Sequence, residues 1–183
     1  GSTSEDVVVT ITGSNDGPTI TSAPADSNSI TTTAAEGSVT EDASQTTATG
    51  TITASDADTG DSLTFSVEGS NGTYGTLAID AASAGAWTYT LNNSDPDTDS
   101  LSQGESVTDT ITVTVSDGKG GSTTENVVVT ITGSNDTPVI TSAPADTDSA
   151  TTTAAEGSVT EDASLTTATG TITASDADTG DSL

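Results

Sequence analysis

Apolar residues along this chain fall in short runs that alternate with Thr, Ser and Asp, the period of a strand that buries one face. Val107, Asp109, Ile111, Val113 and Val115 share one face of such a run, with Thr between them. Val127, Val129 and Ile131 form a second stripe, Leu63, Phe65 and Val67 a third, and Ile52 with Ala54 a fourth. Leu77 with Ile79, and Trp87, Tyr89 and Leu91, read as further strands. Thr and Val dominate these runs, as a pleated surface prefers, and no segment carries a helical period. Turn signals fall between them: Asn71–Gly72 is a tight turn, Asp117–Gly121 a hairpin loop, and Pro18 and Pro138 mark passages from linker to strand. About seven short strands in roughly 120 residues predict an all-β fold, a Greek-key sandwich of the immunoglobulin type. Trp87, Phe65 and Tyr89 are its expected core anchors.

The pattern repeats. Gly1–Leu63 returns almost unchanged as Gly121–Leu183, an offset of 120 residues. The run VVVTITGSND stands at Val7–Asp16 and at Val127–Asp136, and TTATGTITASDADTGDSL at Thr46–Leu63 and Thr166–Leu183. Differences are few, such as Asn28 against Asp148 and Gln45 against Leu165. A period this long suits whole domains strung as beads rather than a solenoid. The expected division is Gly1–Asp16 as the last strand of a preceding repeat, Gly17–Asp136 as one complete repeat, and Thr137–Leu183 as the first strands of an incomplete next one. The chain is therefore expected to be an interior piece of something longer.

Charge narrows the possible partners. Twenty-eight acidic residues face one basic residue, Lys119, for a formal net charge of −27. Phosphate binding needs Lys and Arg, so nucleic acid is excluded as a partner, and anionic membrane is disfavoured. No Cys, Met or His is present, which removes disulfides and the usual zinc and copper sites. Low hydrophobicity with high charge is also a mark of disorder, but disordered chains lack these ordered alternating runs. No apolar stretch is long enough to span a membrane. A cationic partner is expected, and a hard divalent metal is the commonest outside the cell.

The carboxylates are grouped. Asp56, Asp58 and Asp61 share one loop between two strands, where like charges repel unless a cation relieves them. In an up-and-down sandwich that loop lies at the end where the chain enters, with Asn15 and Asp16, and the hairpin loop carrying Asp117 points to the same end. The opposite end should present Glu41, Asp42 and Asp95–Glu105, with Asn135 and Asp136 leaving there and Asp176 and Asp178 following in the next repeat. Calcium takes six to eight oxygen ligands of this kind. Asp95, Asp97 and Asp99 imitate the start of an EF-hand loop, but Ser100 and Ser106 stand where Gly and Glu are needed, so an EF-hand is rejected and only a local calcium in Asp95–Asp99 is kept. The competing reading of each group is a solvated turn, since Asp favours turns in any case.

The runs ASDADTGDSLTFSV (Ala54–Val67) and LSQGESVTDTITVTVSDG (Leu101–Gly118), with the linker GSNDTP (Gly133–Pro138), resemble VCBS repeats, the cadherin-like repeats of large bacterial RTX-type adhesins. That resemblance implies a cadherin-like sandwich, secretion to the bacterial cell surface, and calcium at domain junctions. It assigns junction ligand roles to Asp56, Asp58, Asn15, Asp16 and Asp117, and matches Glu105 to an acidic residue that cadherins contribute.

The expected function is a calcium-stiffened spacer in a cell-surface adhesin, with neighbouring repeats of the same chain as partners and about 40 Å of reach per repeat. A surface fibre assembled head to tail by strand exchange is the alternative. A sugar-binding module is a weaker one, because the few aromatics are needed for the core and only Tyr74 is left over. Catalysis is not expected, since His and Cys are absent and paired carboxylates would sit in linker loops.

Overall fold

The computed structural model describes residues 1–22, 35–69, 71–80, 85–141, 161, 167 and 172–183. The chain runs through β1 (Thr19–Ile20), β2 (Glu36–Thr40), β3 (Thr47–Thr51), β4 (Ala54–Ser55), β5 (Thr64–Val67), β6 (Gly75–Asp80) and β7 (Ala86–Leu91). A single helical turn, α1 (Pro96–Asp99), precedes the long strands β8 (Ser106–Ser116) and β9 (Ser122–Thr132). Beyond them lie β10 (Val139–Ile140) and β11 (Ala174–Ser175).

Two sheets face each other across one core. The larger has the order β2-β9-β8-β5 and the smaller β3-β7-β6. The alternating faces meet as the period requires: Val113, Val115, Val127, Val129 and Ile131 from one sheet pack with Leu77, Trp87, Tyr89 and Leu91 from the other. Trp87 and Tyr89 are fully buried and Phe65 nearly so, so burial of these three side chains contributes most of the apolar area per residue. The predicted all-β sandwich is the fold observed.

Two strands escaped the pattern. β2 carries one deeply buried side chain, Val39, and β3 one, Ala48, too little apolar periodicity to register. β2 is held instead by its backbone, pairing in parallel with β9 from Glu36↔Val128 to Thr40↔Thr132. The turn α1 also lacks an apolar period. Its signal is local: Asp95 caps the N-terminus by accepting from the Asp97 amide, and Pro96 opens the first turn.

One buried charge organises the middle of the sandwich. Asp109 sits on the inward face of β8 and is 3% exposed. Its carboxylate accepts from Tyr89 Oη at 2.6 Å and from the amides of Thr73 and Tyr74 at 2.8 and 3.1 Å. Burial and this carboxylate push the Tyr89 phenol well above its ordinary range. The carboxylate lies directly against Gly72, where any Cβ would strike it. The tight turn at Asn71–Gly72 is thus clamped onto the core by a carboxylate that shares the face of the Val107–Val115 stripe.

The repeat offset is visible in three dimensions. β1 pairs with β4 as Thr19↔Ser55 and Ile20↔Ala54, and β10 with β11 as Val139↔Ser175 and Ile140↔Ala174, the same register 120 residues later. Gly1–Asp16, expected as a last strand, lies outside any strand, with Val7, Val8, Val9 and Ile11 exposed. Its counterpart from Val127 onward is a strand because β2 and β8 flank it.

Candidate metal centres at the two poles

The sandwich has a pole where the chain enters and a pole where it leaves. At the entry pole the β4–β5 loop brings Asp56, Asp58 and Asp61 together, each offering a carboxylate oxygen within 4.8 Å of the others. Asp56 shapes the loop by accepting from the Asp58 amide at 2.9 Å. Asp58 takes the Asp16 amide at 2.7 Å. Asn15 donates through its side-chain amide to Asp117 at 2.8 Å, which joins the entering segment to the β8–β9 hairpin. Asp117 also accepts from the amides of Lys119 at 2.7 Å and Gly121 at 3.0 Å. The Asn15 hydrogen bond first, and the Lys119 amide next, hold its carboxyl below the usual range. Lys119 reaches across to form an ion pair with Asp61, and that hydrogen bond raises the ammonium pKa.

The exit pole has the same loop in different company. Asp176, Asp178 and Asp181 again converge within 4.8 Å, and so do Glu41, Asp99 and Asp136. Glu41 follows β2, and its amide bonds the Thr132 carbonyl at the end of β9. Its Oε2 accepts from the Ser134 amide at 3.0 Å, so the linker is wrapped around a glutamate that is 2% exposed. Asp136 donates its amide to Asp178 at 2.9 Å, and Asp178 donates its own to Asp176 at 3.1 Å. Asp16–Asp58–Asp56 and Asp136–Asp178–Asp176 are therefore the same arrangement built twice. Asn135, like Asn15, folds its side-chain amide onto the carbonyl of the following Asp.

Electrostatics separate the poles. At the exit pole burial raises the Glu41 pKa, and Asp136, Asp42 and Asp99 raise it further, against the Ser134 amide. Burial likewise raises Asp136, followed by Asp99, Asp178, Asp42 and Asp176. No lysine or arginine lies at this end, since Lys119 is the chain's one basic residue. Glu41 Oε1, Asp136 Oδ2 and Asp178 Oδ1 are buried with no hydrogen-bond partner, as are Asp56 Oδ2 and Asp61 Oδ2 at the entry pole. Buried carboxylate oxygens without donors are costly. An all-oxygen set of negative groups, partly unsatisfied and gathered from three segments of chain, fits a hard divalent cation such as calcium.

The remaining expected residues fall elsewhere. Asp42 is exposed on the β2–β3 turn, with φ of 49°, and acts on Glu41 and Asp136 through its charge. Asp97 is exposed on α1 and belongs to neither group. Glu105 turns back to accept from the Ser102 amide at 3.1 Å, so its carboxylate braces a turn. Asp181 was missed in the sequence, although it is Asp61 moved by the repeat offset.

A family model described as a bacterial cadherin-like domain matches residues 15–133. No curated protein matches the chain. Among the described residues no helix is long and apolar enough to cross a membrane.

Proposed function

Because this chain belongs to the bacterial cadherin-like domain family, whose members commonly bind calcium and are usually extracellular, we propose that it is a non-enzymatic extender segment of a secreted bacterial adhesin, stiffened by calcium where consecutive repeats meet. The observation that carries this reading is a set of buried, donor-less carboxylate oxygens in two adjoining groups, Glu41 and Asp136 in one and Asp178 in the other, joined where the Asp136 amide donates to Asp178. Glu41 comes from one repeat, Asp136 from the linker and Asp178 from the next repeat.

Glu41, Asp99, Asp136, Asp176, Asp178 and Asp181 would hold the ion or ions at the exit junction. Asp16, Asp56, Asp58 and Asp61 are the corresponding half at the entry pole. A bound divalent cation supplies the positive charge that these oxygens lack, and cross-links three segments that otherwise repel.

Calorimetric titration of the chain with calcium, in parallel with Glu41→Gln/Asp136→Asn, tests this. The expected result is loss of one class of site in the variant, with small-angle scattering showing a more bent chain after chelation. A chain that takes up no calcium at millimolar concentration, and scatters identically with and without chelator, would sink the proposal.

A further inference from the structure

The exit junction also contains a contact in which no carboxylate touches the partner. The Thr179 amide, in the next repeat's loop, donates to the Ser100 carbonyl at 3.0 Å. The Ser102 hydroxyl donates back to the Thr179 carbonyl at 2.7 Å. One residue of the next repeat is thus held by both its main-chain polar groups against the corner between α1 and β8.

That corner is built. Leu101 is 5% exposed and anchors it in the core, and its amide bonds the Thr98 carbonyl at 3.1 Å. Glu105 closes the turn from the other side, its carboxylate on the Ser102 amide and its amide on the Ser102 carbonyl at 2.8 Å. The linker is stitched to the same turn: the Gly133 amide bonds the Glu105 carbonyl at 2.9 Å, and the Gly104 amide bonds the Gly133 carbonyl at 3.0 Å. Gly133 lies so close to the carbonyls of Leu101 and Ser102 that a Cβ there would overlap them. This explains what Glu105 does without a metal: it sets the orientation of Ser102.

We infer that the Ser100–Glu105 corner is a docking surface for the Asp176–Asp181 loop of the following repeat, a backbone-read contact that forms without metal and registers the loop before any ion binds. The partner it fits is an Asp-Thr-Gly turn presenting a free amide and carbonyl. The chain carries an internal control, because Asp56–Asp61 is the identical loop. Its Thr59, counterpart of Thr179 and exposed like it, makes no such pair of hydrogen bonds among the described residues.

Amide hydrogen exchange by NMR on the full chain in excess EDTA tests the inference. The neighbours of Thr59 and Thr179 are identical, so their intrinsic exchange rates match. With two hydrogen bonds ordering the loop, Thr179 is expected to exchange about tenfold more slowly than Thr59, and Ser102→Ala is expected to erase most of that difference. Equal rates in EDTA overturn the inference. So does a difference that appears only when calcium is added, an outcome that leaves the proposed function standing. Protection of Thr179 that persists unchanged in Ser102→Ala also overturns it. Absence of calcium binding would defeat the proposed function without touching this contact.

Discussion

The loops Asp56–Asp61 and Asp176–Asp181 have one sequence and two environments. In the first, Lys119 pairs with Asp61, and Asn15 with backbone amides satisfies the adjacent Asp117. In the second, carboxylates from another repeat and from the linker crowd in, and no ammonium is present. The same three aspartates are thus partly neutralised at one pole and uncompensated at the other. A metal motif in a tandem protein is completed by what the neighbouring unit brings to it, and the loop alone does not define the site.

The largest test of this contrast is metal removal. With calcium at about a hundredfold over its Kd, binding to the folded state alone adds about 2.7 kcal/mol, so chelation should lower Tm by roughly 10 °C in a scanning calorimeter. Next is Glu41→Gln, whose effect should change sign with the metal. In EDTA the variant relieves repulsion and is expected to melt higher than wild type. In calcium it loses a ligand and should melt lower, by roughly 1–3 kcal/mol. A loss of the same size in both conditions would mean that Glu41 is only a brace for Ser134.

Proton linkage separates the poles further. Glu41 and Asp136 are raised in the folded chain, so it binds their protons more tightly than the unfolded chain does. Their contribution is fully present below the ordinary carboxylate value, 4.5 for Glu41, and is lost as pH rises through the raised pKa. Asp117 is lowered; its contribution holds above its ordinary 3.8 and is lost only as pH falls through the lowered pKa. Between pH 4.5 and neutrality in EDTA, Tm should therefore fall with rising pH because of the exit pole alone of these two. Part of that slope should vanish in Glu41→Gln. Smallest is Lys119→Gln: its own side chain is 57% exposed but the Asp61 side chain it pairs with is 0% exposed, so its loss should cost about 1 kcal/mol, measured by urea titration.

Much of this was legible in the sequence, for identifiable reasons. Period-two stripes marked β5 to β9 because each turns two or more apolar side chains toward the core, with Val67 of β5 and Ile79 of β6 partly buried beside Phe65 and Leu77. β2 and β3 were not legible, because their places depend on main-chain pairing and on glycine and alanine fitting beneath Trp87. The grouping of Asp56, Asp58 and Asp61 followed from adjacency in one loop, and the position of Asp136 beside Asp178 from the linker. Asp99 joining Glu41 depends on where a single helical turn sits. Glu105 and Asp109 show the limit: their carboxylates accept backbone amides, as do those of Glu41 and Asp178, and only the latter keep a buried oxygen with no donor, a difference that composition does not reveal.

The parallel pairing of β2 with β9 has a mechanical consequence. Both strands run from the entry pole toward the exit pole, and β9 continues straight into the outgoing linker. When neighbouring beads are tugged apart, β2 is drawn back while β9 is drawn forward. The two slide past each other instead of peeling open. Their five matched positions, Glu36 to Thr40 against Val128 to Thr132, then share the strain at once, and a bead fastened this way yields only when the whole row slips together.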